Sequence, residues 1–295
     1  MPNTGYTTTS SLDDSLNSII SSARLTRDFE GVMSQLVTQE KLGDGVGLTW
    51  KEVTLGRLTA TAVSESAKFD NPQQVTDLAF NITPTVVGVE VVVTDRVKAR
   101  LAKTAYGKMG DQAQRAIQRK KDIDGLLVLD GFTSLGGAAT VLTPNLIRAA
   151  RYRISSNTTE PGTPPFHCVL HGFQIKALED VLVSGVGTYP VGDGPTATVY
   201  KEGYKLNISG ASVFEDGNIT VDSSSDAKGG VFSKAGIVLV QGRAPWTKPV
   251  RDESIGGGAT IYYHYDEYAY GERLGAGTTS VNGYEIYADA TTPVG

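Results

Sequence analysis

The sequence predicts an α+β fold in which β-branched strands feed directly into one long helix and a strand-rich remainder packs around it. Three observations carry this expectation. Residues 76–94 contain the apolar runs Val86-Val87 and Val91-Val92-Val93, and apolar residues on successive positions mark a strand covered on both faces. Thr94 and Asp95, both capping residue types, open a stretch in which Val97, Leu101, Ala105, Met109, Ala113, Ala116 and Ile117 recur at helical spacing. Elsewhere 34 glycines and 12 prolines, spread over 295 residues, cut the chain into short strands and turns.

The composition bounds the function. Hydrophobic residues make up 40% and charged residues 20%, as in soluble folded proteins. The length allows one substantial core, or two smaller ones with extensions. A net charge of −5 and a pI near 5.3 argue against a dedicated basic nucleic-acid-binding domain. The charge is nevertheless polarised. Between positions 96 and 121, nine basic residues (Arg96, Lys98, Arg100, Lys103, Lys108, Arg115, Arg119, Lys120 and Lys121) meet one acid, Asp111, a balance of +8 that leaves −13 for the remainder. Two readings stay open for this helix: a solvated face whose charges pair with the acidic remainder, or a face turned toward a polyanion and held by phosphate charge. The single cysteine, Cys168, allows no intrachain disulfide and fits a reducing compartment. The opening MPNTGYTTTSSLDDSL lacks the basic and apolar blocks of a signal peptide. No apolar run approaches the roughly 20 residues of a membrane span, so no membrane partner and synthesis in the cytoplasm are expected.

Residues 1–10 are polar. Residues 11–41 read as an amphipathic helical arm, with Leu12, Leu16, Ile19 and Ile20 and then Phe29, Val32, Met33, Leu36 and Val37 at helical spacing, and with Gly43 as a stop. Its apolar stripe must be buried against the chain's own body or a neighbour's. Residues 43–75 open with Gly43, Gly45 and Gly47 and then suggest strands over 48–55 and 58–66 that turn at Gly56-Arg57. With only Trp50 large, this ribbon is marginal alone and reads as an interaction arm. Strands are expected over 75–83 and 86–94, split by Pro84. A helix over 95–121 would run about 40 Å, with Gly107 and Gly110 as candidate kinks. Beyond it lie a helix at 144–155 with Pro at its first turn, strands at 166–170 and 237–241, a helix at 173–183, and Gly/Pro/Asp-rich loops with short strands over 185–235. A long strand at 259–270 and a last one at 283–288 complete the chain.

Candidate chemistry is sparse. On a strand, His167 and His171 share a face while Cys168 points the other way, so the three do not converge on a metal or form a nucleophile pair. The glycine clusters at 43–47 and 191–196 lack the strand–glycine–helix context of a phosphate loop, and no G-x-S-x-G nucleophile pattern occurs. Asp266 and Glu267 are adjacent and would face opposite ways, so exposure or pairing with Arg251 or Arg273 is expected of the acids around the long strand. Tyr262, Tyr263, Tyr265, Tyr268 and Tyr270 suit a sheet surface or subunit contact. No catalytic, cofactor-binding or metal-binding residue is assigned, no cofactor is implied, and the chain does not read as an enzyme.

Three quoted stretches carry a family resemblance: GRLTATAVSES at 56–66, QQVTDLAFNITPTVVGVEVVVTDRV at 73–97 and KKDIDGLLVLDG at 120–131. In wording, spacing and element order the chain resembles major capsid proteins of tailed bacteriophages, with the Hong Kong 97-type fold. The resemblance covers nearly the whole chain and is sharp over about residues 50–131. It implies an N-terminal arm at 1–42, an extended hairpin loop at 43–75, and a peripheral domain with a spine helix from 76–131 and 259–295. An axial domain would span 132–258. It further implies a structural protein that self-assembles as hexamers and pentamers into an icosahedral head around double-stranded DNA. Its place would be the virion capsid, after synthesis in the host bacterium. A separate scaffold protein, a portal and a decoration protein are the further partners it implies. Trp50, Lys51 and Arg57 become candidate intersubunit contacts of the hairpin, and the nine basic residues become a candidate inward-facing surface of the spine. The alternatives are an encapsulin-like nanocompartment shell protein and, from a different class, a soluble hydrolase using His167, His171 or the acids near Glu267.

Overall fold

The longest strand, β12 (Ala259–Glu272), organises the first of two main sheets in the computed structural model, which describes residues 29, 31–43, 45–65, 72–100, 103–186, 207–274 and 282–293. β4 (Thr85–Thr94) pairs antiparallel with β12, with Ala259 opposite Thr94 and Tyr268 opposite Thr85. On its other side β12 meets β11 (Trp246–Asp252) and then β10 (Ile237–Gln241), both antiparallel. β1 (Thr38–Lys41) closes this five-stranded sheet by running parallel to β10. Ile261, Tyr263 and Tyr265 alternate along β12 with His264, Asp266 and Tyr268, so the strand presents two different faces. The second face receives the spine.

That spine begins directly from β4. α2 (Asp95–Arg100) and α3 (Lys103–Leu129) follow one another, and the 27 residues of α3 extend about 40 Å. α3 continues as α-helix through Gly107 and Gly110 and past the expected end at 121. Lys121 and Asp122 do not stop it because both find buried partners. Ala113, Ile117, Leu126 and Leu129 form its buried stripe. Gly125 is what lets it lie close. A Cβ there would sit 2.9 Å from Met33 Cβ and 3.0 Å from the Tyr270 ring. Gly125→Val therefore overpacks the seam and lowers stability by about 1–3 kcal/mol, read as a lower urea midpoint with an unchanged slope.

The second sheet has six strands in the order β5-β13-β9-β6-β8-β7. They are β5 (Thr133–Gly136), β6 (Phe166–Leu170), β7 (Asn207–Ile208), β8 (Ala211–Glu215), β9 (Asp226–Ser233) and β13 (Gly283–Asp289). α4 (Pro144–Ser155), with Pro at its first position where no N–H is needed, buries Ile147, Ala150 and Ile154 against Phe166, Cys168, Val231 and Ile286. α5 (Gly172–Val186) carries Gln174, which is fully buried and donates to the carbonyls of Ala227 at 2.8 Å and Ala288 at 3.2 Å. The two sheets and the spine share one core, where Met33, Leu36 and Val37 meet Leu126, Leu129, Phe132, Phe232, Leu239 and Tyr268. No helix among the described residues is long and apolar enough to cross a membrane.

Several expectations change. Residues 11–28 and 30 of the helical arm expected over 11–41 lie outside the described residues. Its remainder is one short helix, α1 (Met33–Leu36), followed by β1. Thr38–Lys41 extend because the open edge of β10 offers them a full ladder, which outweighs helical spacing. Of the strand expected at 58–66, the described residues 58–65 form none. β2 (Trp50–Leu55) pairs instead with β3 (Asp77–Ile82), Trp50 opposite Ile82 and Leu55 opposite Asp77. Sheet membership also crosses the expected boundaries. β10 and β11, placed with 132–258, join β12, whereas β13, placed with the spine, pairs with β9.

Candidate assembly surfaces

The ribbon of β2 and β3 has one anchored face and one bare one. Trp50, Glu52 and Thr54 alternate with Lys51, Val53 and Leu55, and each set takes one side. Trp50 packs edge-on to Phe80, with centroids 6.1 Å apart. Both join Ile82, Leu42, Val238 and Val240 in a small core at the ribbon's root. Glu52 pairs with Arg273, whose guanidinium also donates to the Ala235 carbonyl at 2.8 Å. Trp50 is thus committed within the chain. Arg57 likewise donates to the Thr158 carbonyl at 3.1 Å, whereas Lys51 is exposed.

The bare face was missed by the sequence reading. Val53 is 57% exposed and Leu55 66%, and Leu58, Val63 and Val75 on the extension beyond are likewise open to solvent. The described ends of the extension are tied together by hydrogen bonds. Gly56 N–H donates to the Thr76 carbonyl, and the Gln73 amide bridges the Thr59 N–H and carbonyl. Few side chains cover it. The signal that could have revealed this face was the period-2 spacing of Val53 and Leu55 opposite Trp50.

Seven of the nine basic residues stay out of the buried seam, and Lys121 joins it. Arg96, Lys98, Arg100, Arg115, Arg119 and Lys120 are exposed and Lys108 is half-buried, whereas the side chain of Lys103 lies outside the described residues. Lys120 forms an ion pair with Asp124 one turn on. Lys121 is 8% exposed. Its Nζ donates to Gln241 Oε1 at 2.5 Å and to Asp266 Oδ2 at 3.2 Å, and it lies 4.8 Å from the centre of the Tyr268 ring. Lys121 therefore leaves the candidate polyanion surface, because the fully buried carboxylate of Asp266 needs a cation beside it. Asp122, next along, turns the opposite way, toward Met33.

The remaining candidates resolve into packing. His167 lies edge-on between Phe214 and Phe232, and burial lowers its proton affinity. Cys168 is buried on the other side of the strand, where burial pushes its thiol pKa up. His171 accepts the Phe173 N–H through Nδ1 at 3.2 Å. The Arg251 guanidinium pairs with Asp95 and Glu253, holding the Asp95 carboxyl below its ordinary range through the hydrogen bond first. Arg251 thus meets the expected pairing with an acid around the long strand through Glu253, whereas Arg273 pairs with Glu52. Tyr263 and Tyr265 stack with centroids 5.9 Å apart, Trp246 tilts against Tyr265 at 5.2 Å, and Arg243 covers Trp246 at 4.3 Å. No group of three or more His, Cys, Asp or Glu side chains suited to a metal occurs among the described residues. The glycine cluster at 191–196 lies outside them.

No family model and no curated protein matches this chain by sequence. Solved structures do. The head structure of Helicobacter pylori bacteriophage KHP40 is similar at TM-score 0.70 and 11% identity, over 99% of this chain and 100% of that one. The Cyanophage Pam1 capsid is similar at 0.69 and 10%, again over 99% and 100%. A chain of Mycobacterium phage Che8 matches at 0.68 and 15%, over 92% of this chain and 97% of its own length. The likeness spans both sheets, the spine and the ribbon, so the chain has the Hong Kong 97-type fold that the sequence resemblance implied.

Proposed function

We propose that this chain is the major capsid protein of a tailed double-stranded DNA bacteriophage, a structural subunit that assembles through hexamers and pentamers into the icosahedral head. The observation that carries this reading is the bare face of the ribbon, in a fold shared with phage heads and capsids. A lone two-stranded ribbon is marginal in water, and five large apolar residues on it and its extension, Val53, Leu55, Leu58, Val63 and Val75, stand exposed among the described residues. Contacts between copies supply the cover. The role is structural and non-enzymatic, and the virion is its place.

In this reading residues 43–75, continued by β3, form the extended loop, with Val53 and Leu55 taking over the contact role expected of Trp50. The sheet built on β12, including β10 and β11, together with the spine forms the peripheral domain. The six-stranded sheet, including β13, belongs to the axial domain. The exposed guanidinium and ammonium groups of Arg96, Lys98, Arg100, Arg115 and Lys120 face packaged DNA and contact it without sequence preference. A scaffold protein, a portal and a decoration protein complete the particle.

Expression of the full chain alone and beside its neighbouring genes, followed by size exclusion and electron microscopy, tests the assignment. Closed shells, or hexamers and pentamers, are the expected result. A monodisperse monomer in both preparations overturns it, and shells holding an enzyme in place of DNA redirect it to a nanocompartment. For the spine, Arg96→Glu with Arg115→Glu weakens binding of the free subunit to duplex DNA. It also flattens the slope of log Kobs against log salt by about two, at roughly 0.9 per phosphate contact. An unchanged slope removes this face from the DNA contact.

A further inference from the structure

Two buried carboxyl groups meet where the spine helix, the six-stranded sheet and the first described residues of the chain converge. Asp122 of α3 is 3% exposed, and Asp216, one residue past β8, is 1% exposed. Asp122 Oδ1 accepts the Met33 N–H at 3.0 Å, and its Oδ2 accepts Asn218 Nδ2 at 2.9 Å. Asp216 Oδ1 accepts the Asn218 N–H at 2.9 Å, and its Oδ2 lies 3.5 Å from the Val32 nitrogen. The approach is close enough that a Cβ on residue 31 would fall 2.2 Å from Asp122 Cγ, so Gly31 is required there.

Among the described residues, the lysine and the acids next to the pair have other partners. On α3, Lys121 points away to Asp266, and Asp124 accepts the Tyr268 hydroxyl. From β12, Tyr270 faces Asp122, and its pKa is raised by burial and then by that carboxylate. On β8, Glu215 turns toward His171 and Gly172. Arg119 borders the groove outside Asn218, and residues 31–37 carry no titratable side chain.

We propose that Asp122 and Asp216 form a one-proton latch: a single shared proton holds the backbone of residues 31–33 against the spine, and loss of that proton releases it. Two carboxylates in contact and out of water cannot both ionise cheaply, so the pair holds a proton that Asp216 donates toward Asp122. Asp216 is accordingly pushed up to about 7, by burial first and then by the hydrogen bond and charge of Asp122, against the N–H groups of Asn218 and Val32. A carboxyl raised in the folded chain stabilises it fully below the ordinary aspartate range, and the contribution is lost as pH rises toward the raised value. The latch is closed in mild acid and loosens through neutrality. The device lies within one subunit and goes beyond the capsid reading without depending on it.

Hydrogen–deuterium exchange of the full-length chain, corrected at each pH for the intrinsic rate, tests this. Protection of the peptide containing Val32 and Met33 falls about tenfold between pH 6 and 8.5, one pH unit of proton linkage being worth a factor of ten, while protection of β6 stays constant. Asp216→Asn, whose amide donates where the acid's proton did, keeps the acid-pH protection throughout. A wild-type protection that ignores pH, or an Asp216→Asn chain that still follows it, overturns the proposal. Should Asp216→Asn not fold, Asp122→Asn replaces it. Removing the neighbouring charge moves the loss of protection to lower pH by about one unit, and an unmoved transition overturns the latch. Either failure leaves the capsid assignment standing, because the readout needs no shell.

Discussion

Val53→Asp combined with Leu55→Asp leaves the subunit folded and stops it assembling. Both side chains are more than half exposed in the subunit, on the ribbon face opposite the Trp50 anchor, so the folded monomer loses no core contact. Thermal melts of the monomer should stay within about 0.5 kcal/mol of wild type, as for surface changes generally. Assembly differs. Burying a valine and a leucine is worth about 1.5–3 kcal/mol each, and an aspartate left in the same contact adds the cost of desolvating a charge. The affinity of each ribbon contact then falls by at least about 100-fold, since every 1.4 kcal/mol is tenfold. Electron microscopy should show no closed particles at concentrations where wild type forms them. Shells of normal yield would end the assignment of this face, and a chain that no longer melts cooperatively would show that the face is buried within the subunit after all.

Lys121→Met has the largest expected effect on the subunit itself. It leaves the fully buried carboxylate of Asp266 without its cation, with Gln241 and the Glu267 N–H as the remaining donors among the described residues. Breaking one side of a buried ion pair costs about 3–5 kcal/mol. For a chain of this size that corresponds to a fall in Tm of roughly 10 °C. Adding Asp266→Asn to Lys121→Met should recover more than half of the loss, because the stranded charge is gone and Gln241 can still be satisfied. A double variant no better than Lys121→Met would mean that the methionine fails on shape and not on charge.

The sequence made the secondary elements legible wherever one physical signal dominated. The strand ending at Thr94, the helix after it, Pro144–Ser155, Phe166–Leu170 and Ile237–Gln241 all carry a single clear period or a capping residue. Misreadings fell where a distant partner decided. Thr38–Lys41 sits at helical spacing and becomes a strand only because β10 lies open beside it. Residues 58–66 alternate weakly, yet the register belongs to Asp77–Ile82, twenty residues further on. Sheet membership of β10, β11 and β13 is likewise a property of pairing, which no local period encodes. For the surfaces, counting charge located the basic helix correctly but could not separate Lys121 from Lys120. One helical step puts the first beneath Tyr268 and the second in solvent. Asp122 and Asp216 gave no signal at all, because acids in sequence look solvated until the fold encloses them.

The parallel pairing of β1 with β10 sets a timetable for synthesis. Thr38 finds its place beside Val238, and β10 is itself held by residues 268–272 of β12. A chain growing on the ribosome therefore displays residues 38–41 early but cannot seat them until most of the polypeptide has emerged. The six-stranded sheet waits longer still, since β13 enters between β5 and β9. A product stalled before β12 lacks both closures, and one stalled between β12 and β13 lacks the second. Only a finished chain has both sheets closed, so the order of translation itself leaves the last-paired edges open until the end.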